Sequence, residues 1–245
     1  MPVIVDKNGH LYEPYVYETE KEFERDVVAN ASHIFGVPSL YIDVKRRMAG
    51  NSIVTIPDGY VLDVTNVTSP KLFVVENEIV SHDPFRHIGV QMLKFVTSFE
   101  EAQKSIKDYL MVELSRLPVN IAWLERAAKA AGSRNVDSYL ETAVYSEFKG
   151  LVVIDEARPE LHQVLKRINA NISVLEFRKF VAPTGDALFE FDTLYDEPDI
   201  DATEVSTARA SPERREERRM RRAGVGSPVK LTVDNWTLGA VVASA

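Results

Sequence analysis

The chain has 245 residues, is 45% apolar, contains no cysteine and carries a net charge of -8, which allows one good-sized domain with a packed core plus an appendage. The absence of cysteine excludes disulfides, thiolate catalysis and cysteine zinc sites and fits a cytoplasmic protein, while the negative charge argues against bulk attraction to nucleic acid without excluding a local basic surface. No apolar run approaches the roughly 18 residues of a membrane span, and Met1-Pro2-Val3-Ile4-Val5-Asp6 has neither the basic region nor the apolar segment of a signal peptide.

Taken in order, the pattern predicts a helix from Thr19 to Phe35, with Phe23, Val27, Ala31 and Ile34 at helical spacing, Thr19 as its cap and Gly36 as its stop. Strands are expected over Leu40–Arg47, Ser52–Thr55, Tyr60–Val64 and Leu72–Val80. Asp83-Pro84 opens a helix to about Phe99. Its apolar stripe holds Phe85, Ile88, Met92, Phe95, Val96 and Phe99, and the opposite stripe holds His87, Gln91 and Lys94. Further helices are expected over 101–110, 119–131 and 136–148. A buried strand over Gly150–Asp155, a helix over Arg158–Asn169 and a strand over Ile172–Phe180 come next. Pro183-Thr184-Gly185-Asp186 reads as a hairpin turn into a strand over Leu188–Leu194. This succession implies an α/β domain with a mixed central sheet flanked by helices.

The most informative run is Lys71-Leu72-Phe73-Val74-Val75-Glu76-Asn77-Glu78-Ile79-Val80. Residues i and i+2 of a strand share a face, so Glu76 and Glu78 look the same way from an otherwise apolar strand. Two like charges are costly to bury without compensation, and a divalent metal is the usual compensation. Asp58 stands upstream in Ile56-Pro57-Asp58-Gly59, ahead of another apolar stretch. Each carboxylate also has a plainer reading: Asp58 could shape a turn, and Glu76 and Glu78 could line the solvated face of an edge strand.

Ile-Pro-Asp58-Gly, then Val-Val-Glu76-Asn-Glu78, then a helix carrying Gln91-Met-Leu-Lys-Phe95 resembles the PD-(D/E)XK nuclease superfamily, the restriction-endonuclease-like fold. The resemblance covers roughly residues 12 to 195, and the Glu20-Lys-Glu22-Phe23 helix is similar to the family's first helix, which often gives one more carboxylate. It implies Mg²⁺- or Mn²⁺-dependent hydrolysis of DNA phosphodiester bonds, with Asp58 and Glu76 as metal ligands. Magnesium prefers such oxygen donors and neutralises charge in this chemistry. Glu78 stands where the family has lysine, and would either ligate the metal or orient the attacking water as general base. Glu20, three residues before Phe23, lies near the same helix face, whereas Glu22 and Glu24 lie about 100° to either side. Gln91 would touch the site or the substrate backbone, with His87 and Lys94 beside it as phosphate contacts.

Lys45, Arg46 and Arg47 form a small basic patch, either a solvated turn or a phosphate contact. Zinc is disfavoured by five histidines and no cysteine. The expected organisation is a nuclease-like domain over 1–195, a charged linker with an arginine-rich segment over 196–228 and a short extension, or the start of a further domain, over 229–245. Eight acidic residues and no Lys or Arg lie between Val181 and Ala208, and seven arginines with three glutamates lie between Arg209 and Arg222. The alternative to a nuclease is a catalytically degenerate DNA-binding or assembly module of a defence or recombination complex. A third reading is an interaction protein whose charged tail recruits a protein partner. A homodimer is compatible with the resemblance, and no membrane partner is expected.

Overall fold

The computed structural model describes residues 3–36, 38–44, 48–49, 54–82, 84–116 and 118–194. Two short strands come first, β1 (Ile4–Val5) and β2 (Leu11–Pro14), ahead of α1 (Glu20–Ile34) and β3 (Ser39–Asp43). A small ladder of β4 (Met48–Ala49) and β5 (Val54–Thr55) precedes β6 (Gly59–Asp63) and β7 (Lys71–Glu78). Three helices follow, α2 (Pro84–Ser115), α3 (Pro118–Ala130) and α4 (Val136–Val144). Then come β8 (Lys149–Ile154), α5 (Pro159–Lys166), β9 (Asn171–Val181) and β10 (Ala187–Phe191). Lys45, Arg46 and Arg47, and everything from residue 195 onward, including the charged segments and the C-terminal extension, lie outside the described residues.

The expected mixed α/β architecture is present. One eight-stranded sheet runs β1-β2-β9-β8-β7-β6-β3, with β10 also paired to β9. β3, β6 and β7 form an antiparallel meander, and β7, β8 and β9 run parallel. The parallel pairs need crossover connections, which α2–α4 and α5 supply. Alternate residues of the central strands divide into two cores. Tyr41, Val61, Phe73, Val75, Leu151 and Val153 pack with the α1 stripe Phe23, Val27, Ala31 and Ile34. Ile42, Tyr60, Leu62, Val74 and Val152 pack with α2, α3, α4 and α5 on the opposite face. Buried on both faces, these strands read as the near-continuous apolar runs seen in the sequence.

Several expected boundaries shift for physical reasons. The helices expected over 84–99 and 101–110 are one 32-residue helix. No Gly or Pro interrupts 90–115, and Phe99, Ala102, Ile106, Leu110 and Leu114 carry the buried stripe straight on. The helix expected over 136–148 ends at Val144, with the backbone N–H of Tyr145 bonded to Glu141. The strand expected to reach Arg47 is described only to Asp43. β1 and β2 escape the sequence reading because they are short, and β2 makes just two ladder pairs with β9, at Glu13 and Pro14. The α1 cap is as expected, with Thr19 Oγ1 accepting from the backbone N–H of Glu22 at 3.2 Å. So is the Pro183–Asp186 turn, where Gly185 takes φ of 90°. Among the described residues, no helix is long and apolar enough to cross a membrane.

Candidate active site

The carboxylates gather where β6 begins and β7 ends. The ladder pairs Gly59 with Val75, so one further step of register sets Asp58 beside Glu76. The backbone N–H of Asp58 donates to the carbonyl of Val75 at 3.1 Å. In return, Asp58 Oδ2 accepts from the backbone N–H of Asn77 at 2.7 Å. Asp58 therefore extends the β6–β7 pairing and does not merely shape a turn. The neighbouring glycine has a steric role: a Cβ on Gly59 would lie 2.5 Å from Tyr41 Cζ and Oη. Tyr41 stacks on Phe35 with centroids 5.3 Å apart, and its hydroxyl accepts from Asn77 Nδ2 at 3.2 Å.

Alternation along β7 sends Asn77 to the α1 face with Phe73 and Val75, and Glu76 and Glu78 to the α2 face with Leu72 and Val74. The expected edge-strand alternative fails here, because β7 lies between β6 and β8. Glu76 is 4% exposed and Glu78 is 1% exposed. Among the described residues, Glu76 Oε2 is buried with no hydrogen-bond partner. Such an atom is costly in a folded interior unless a ligand meets it.

Glu78 is differently placed. Its Oε1 accepts from the backbone N–H of Ile79 at 3.0 Å. Its Oε2 lies 2.6 Å from His87 Nδ1, on the first turn of α2. Glu20, the first residue of α1, lies close enough to the Glu78 carboxyl to raise its pKa. With its oxygens engaged, Glu78 is a poor candidate ligand, which leaves Asp58 and Glu76 as the pair suited to a cation.

The electrostatics follow from burial and crowding. Burial, then repulsion from Glu24, Glu20 and Glu78, pushes Asp58 up to about 7 against the pull of the Asn77 N–H. Burial first, then Asp58 and Glu78, holds Glu76 well above the usual carboxylate range. Burial and the Glu20 contact bring Glu78 to about 7, while His87 and the Ile79 N–H act in the opposite direction. Among the described residues, no group of three or more acidic or histidine side chains already stands at metal-ligand geometry. Magnesium nevertheless fits the donor set. It dehydrates reluctantly, keeps several waters and commonly takes only one or two carboxylates plus substrate oxygens.

The structure brings Glu20, Asp58, Glu76, Glu78 and His87 together. Gln91 and Lys94 follow one and two turns after His87 along α2, partly buried, and the backbone carbonyl of Lys94 accepts from Ser98 Oγ at 2.7 Å. Glu24, expected off the site face, repels both Asp58 and Glu76. Its signal was the i, i+4 spacing from Glu20. Glu22 instead accepts from the Tyr15 hydroxyl at 2.7 Å. Asp155, at the end of β8, was missed. Its Oδ1 accepts from the backbone N–H of Val80 at 2.7 Å and fixes the chain just beyond Glu78. An acid closing the apolar run Leu151–Ile154 was the legible sign. A cavity of about 730 Å³ between α2, α3 and α4 is lined by Met111, Ile121, Glu125, Lys129 and Arg134, and by none of these carboxylates.

No protein-family model, no curated protein and no solved structure matches the chain significantly.

Proposed function

We propose that this protein is a metal-dependent nuclease that hydrolyses DNA phosphodiester bonds. The observation that carries the reading is the buried Glu76 carboxylate, with one oxygen lacking a partner among the described residues, set beside Asp58 at the start of the adjoining strand. Supporting it are the antiparallel meander followed by parallel strands, the helices on both faces and the acid from the start of α1, as a restriction-endonuclease-like fold would require. Asp58 and Glu76 would hold Mg²⁺ or Mn²⁺, which when bound supplies charge neutralisation at the phosphate and a more acidic water. This chain's own residues do the rest. Asn77 fixes Asp58 through its backbone N–H, and the two cores hold β6 and β7 in register. The Gln91–Lys94 flank of α2 offers polar groups to the substrate backbone.

The test is cleavage of linear, circular and single-stranded DNA with Mn²⁺ or Mg²⁺, with Glu76→Ala beside the wild type. Metal-dependent cutting is expected in the wild type and abolished in the variant, whose circular dichroism and melting should remain those of a folded protein. Equal cutting by both proteins would sink the assignment. The second reading, a non-catalytic DNA-binding or assembly module on the same architecture, is favoured by one observation, the engagement of Glu78 at the motif-lysine position. It would show DNA binding by folded wild-type protein with no cutting under any metal.

A further inference from the structure

We propose that His87, and not Glu78, is the group that meets the attacking water, with Glu78 acting as the anchor that orients the imidazole. The inference rests on the nuclease reading and goes beyond it by assigning the proton acceptor. The geometry is directional. Glu78 is 1% exposed and His87 is 55% exposed, with Nδ1 and Oε2 2.6 Å apart. The carboxylate end of the pair is therefore inside, and the ring faces out. Glu78 spends its other oxygen on the backbone N–H of Ile79. In this assignment Nδ1 carries the ring proton and donates to Oε2, as in a histidine oriented by a buried carboxylate. The lone pair is then left on Nε2, at the open end of the ring. A base oriented by a buried acid is a recurring device for activating a nucleophile. It also accounts for glutamate at the motif-lysine position, since the function is displaced by one residue onto the next helix.

The step balances. Water donates a proton to Nε2 as its oxygen forms the new bond to phosphorus. The bond between phosphorus and the leaving oxygen breaks, and its electron pair stays on that oxygen, which takes a proton from solvent. The imidazolium returns its own proton to solvent, and Nδ1 stays on Glu78 throughout.

The two ring nitrogens can be tested separately. An asparagine amide can stand in for Nδ1–H and keep the bond to Glu78, but has nothing in the place of Nε2. The experiment measures steady-state cleavage of duplex DNA with Mn²⁺ by the full chain, for wild type, His87→Asn, His87→Ala and Glu76→Ala. Mn²⁺ binding is followed by calorimetry and folding by thermal melting. His87→Asn and His87→Ala should both lose about 10²- to 10⁴-fold in kcat, with KM and Mn²⁺ affinity within about twofold of wild type. Added imidazole should restore part of the activity of His87→Ala and none of that of Glu76→Ala. A His87→Asn protein that cuts at near wild-type rate would overturn the assignment and reduce His87 to a positioning residue, with the nuclease reading intact. Absence of cutting by the folded wild type would remove the nuclease reading and this inference with it.

Discussion

Glu76 places a carboxylate among apolar side chains with Asp58 beside it and Glu78 two residues on, and the resulting cost is a measurable property of the metal-free protein. Burial, and then crowding by neighbouring acids, raises all three, Asp58 and Glu78 to about 7 and Glu76 well above the usual carboxylate range. In the unfolded chain they titrate near about 4. The folded state thus holds more protons between those limits, so the stability these groups allow is fully present below about pH 4 and is lost as pH rises through 7. In chelator, urea denaturation should show falling stability from pH 5 to pH 8. Glu76→Gln, which removes the charge and nearly keeps the shape, should flatten that slope and be more stable than the wild type at pH 8. A variant less stable than wild type at pH 8 would mean that Glu76 is compensated within the chain.

At the scale of elements, the approach of β3 to β6 depends on one missing side chain. The Tyr41 ring covers Gly59, and its hydroxyl takes the Asn77 side chain, whose backbone N–H holds Asp58. Gly59→Ala puts a methyl 2.5 Å from the ring and should cost about 1–3 kcal/mol by overpacking, read as a lower urea midpoint at unchanged slope. Truncating Tyr41 in the same protein to Leu should recover part of the loss. Most elements were legible from the sequence because each carries its own period. The α1 stripe spaces Phe23, Val27, Ala31 and Ile34, and β7 is an unbroken apolar run up to Glu76. What was illegible depends on partners distant in sequence. β1 and β2 exist because β9 offers an edge, and the union of two expected helices into α2 is decided by the continuous core beneath Phe99 and Ala102.

For the molecule as a whole, the candidate ligands Asp58 and Glu76 come from adjoining segments, the entry to β6 and the end of β7, and a cation bound there should tie the two together. At a concentration about 100 times its Kd, a ligand specific to the native state adds about 2.7 kcal/mol. In a chain of this size that corresponds to roughly 5–10 °C in Tm. Mn²⁺ or Mg²⁺ should therefore raise the melting temperature of the wild type, and Asp58→Ala should abolish the rise. An equal rise in the variant would place the cation elsewhere. Asp58, Glu76 and Glu78 stood out in the sequence as charge in apolar surroundings. The engagement of Glu78 by His87, and the reach of Glu24, depend on where α1 and α2 are packed, and no local pattern encodes that.

The sheet order also implies a sequence of events in time. β3, β6 and β7 are joined by short connections, whereas β7 meets β8 only after about 70 intervening residues of helix have been laid down. Loop-closure entropy favours the near pairing first. Asp58 and Glu76 therefore meet while solvent still screens them, and the repulsion is felt in full only when the α2–α4 layer closes over the strands. The barrier to the late step then carries the cost of drying the acids. Refolding in chelator should therefore slow as pH rises, and a cation held by Asp58 and Glu76, as proposed, would relieve that late step.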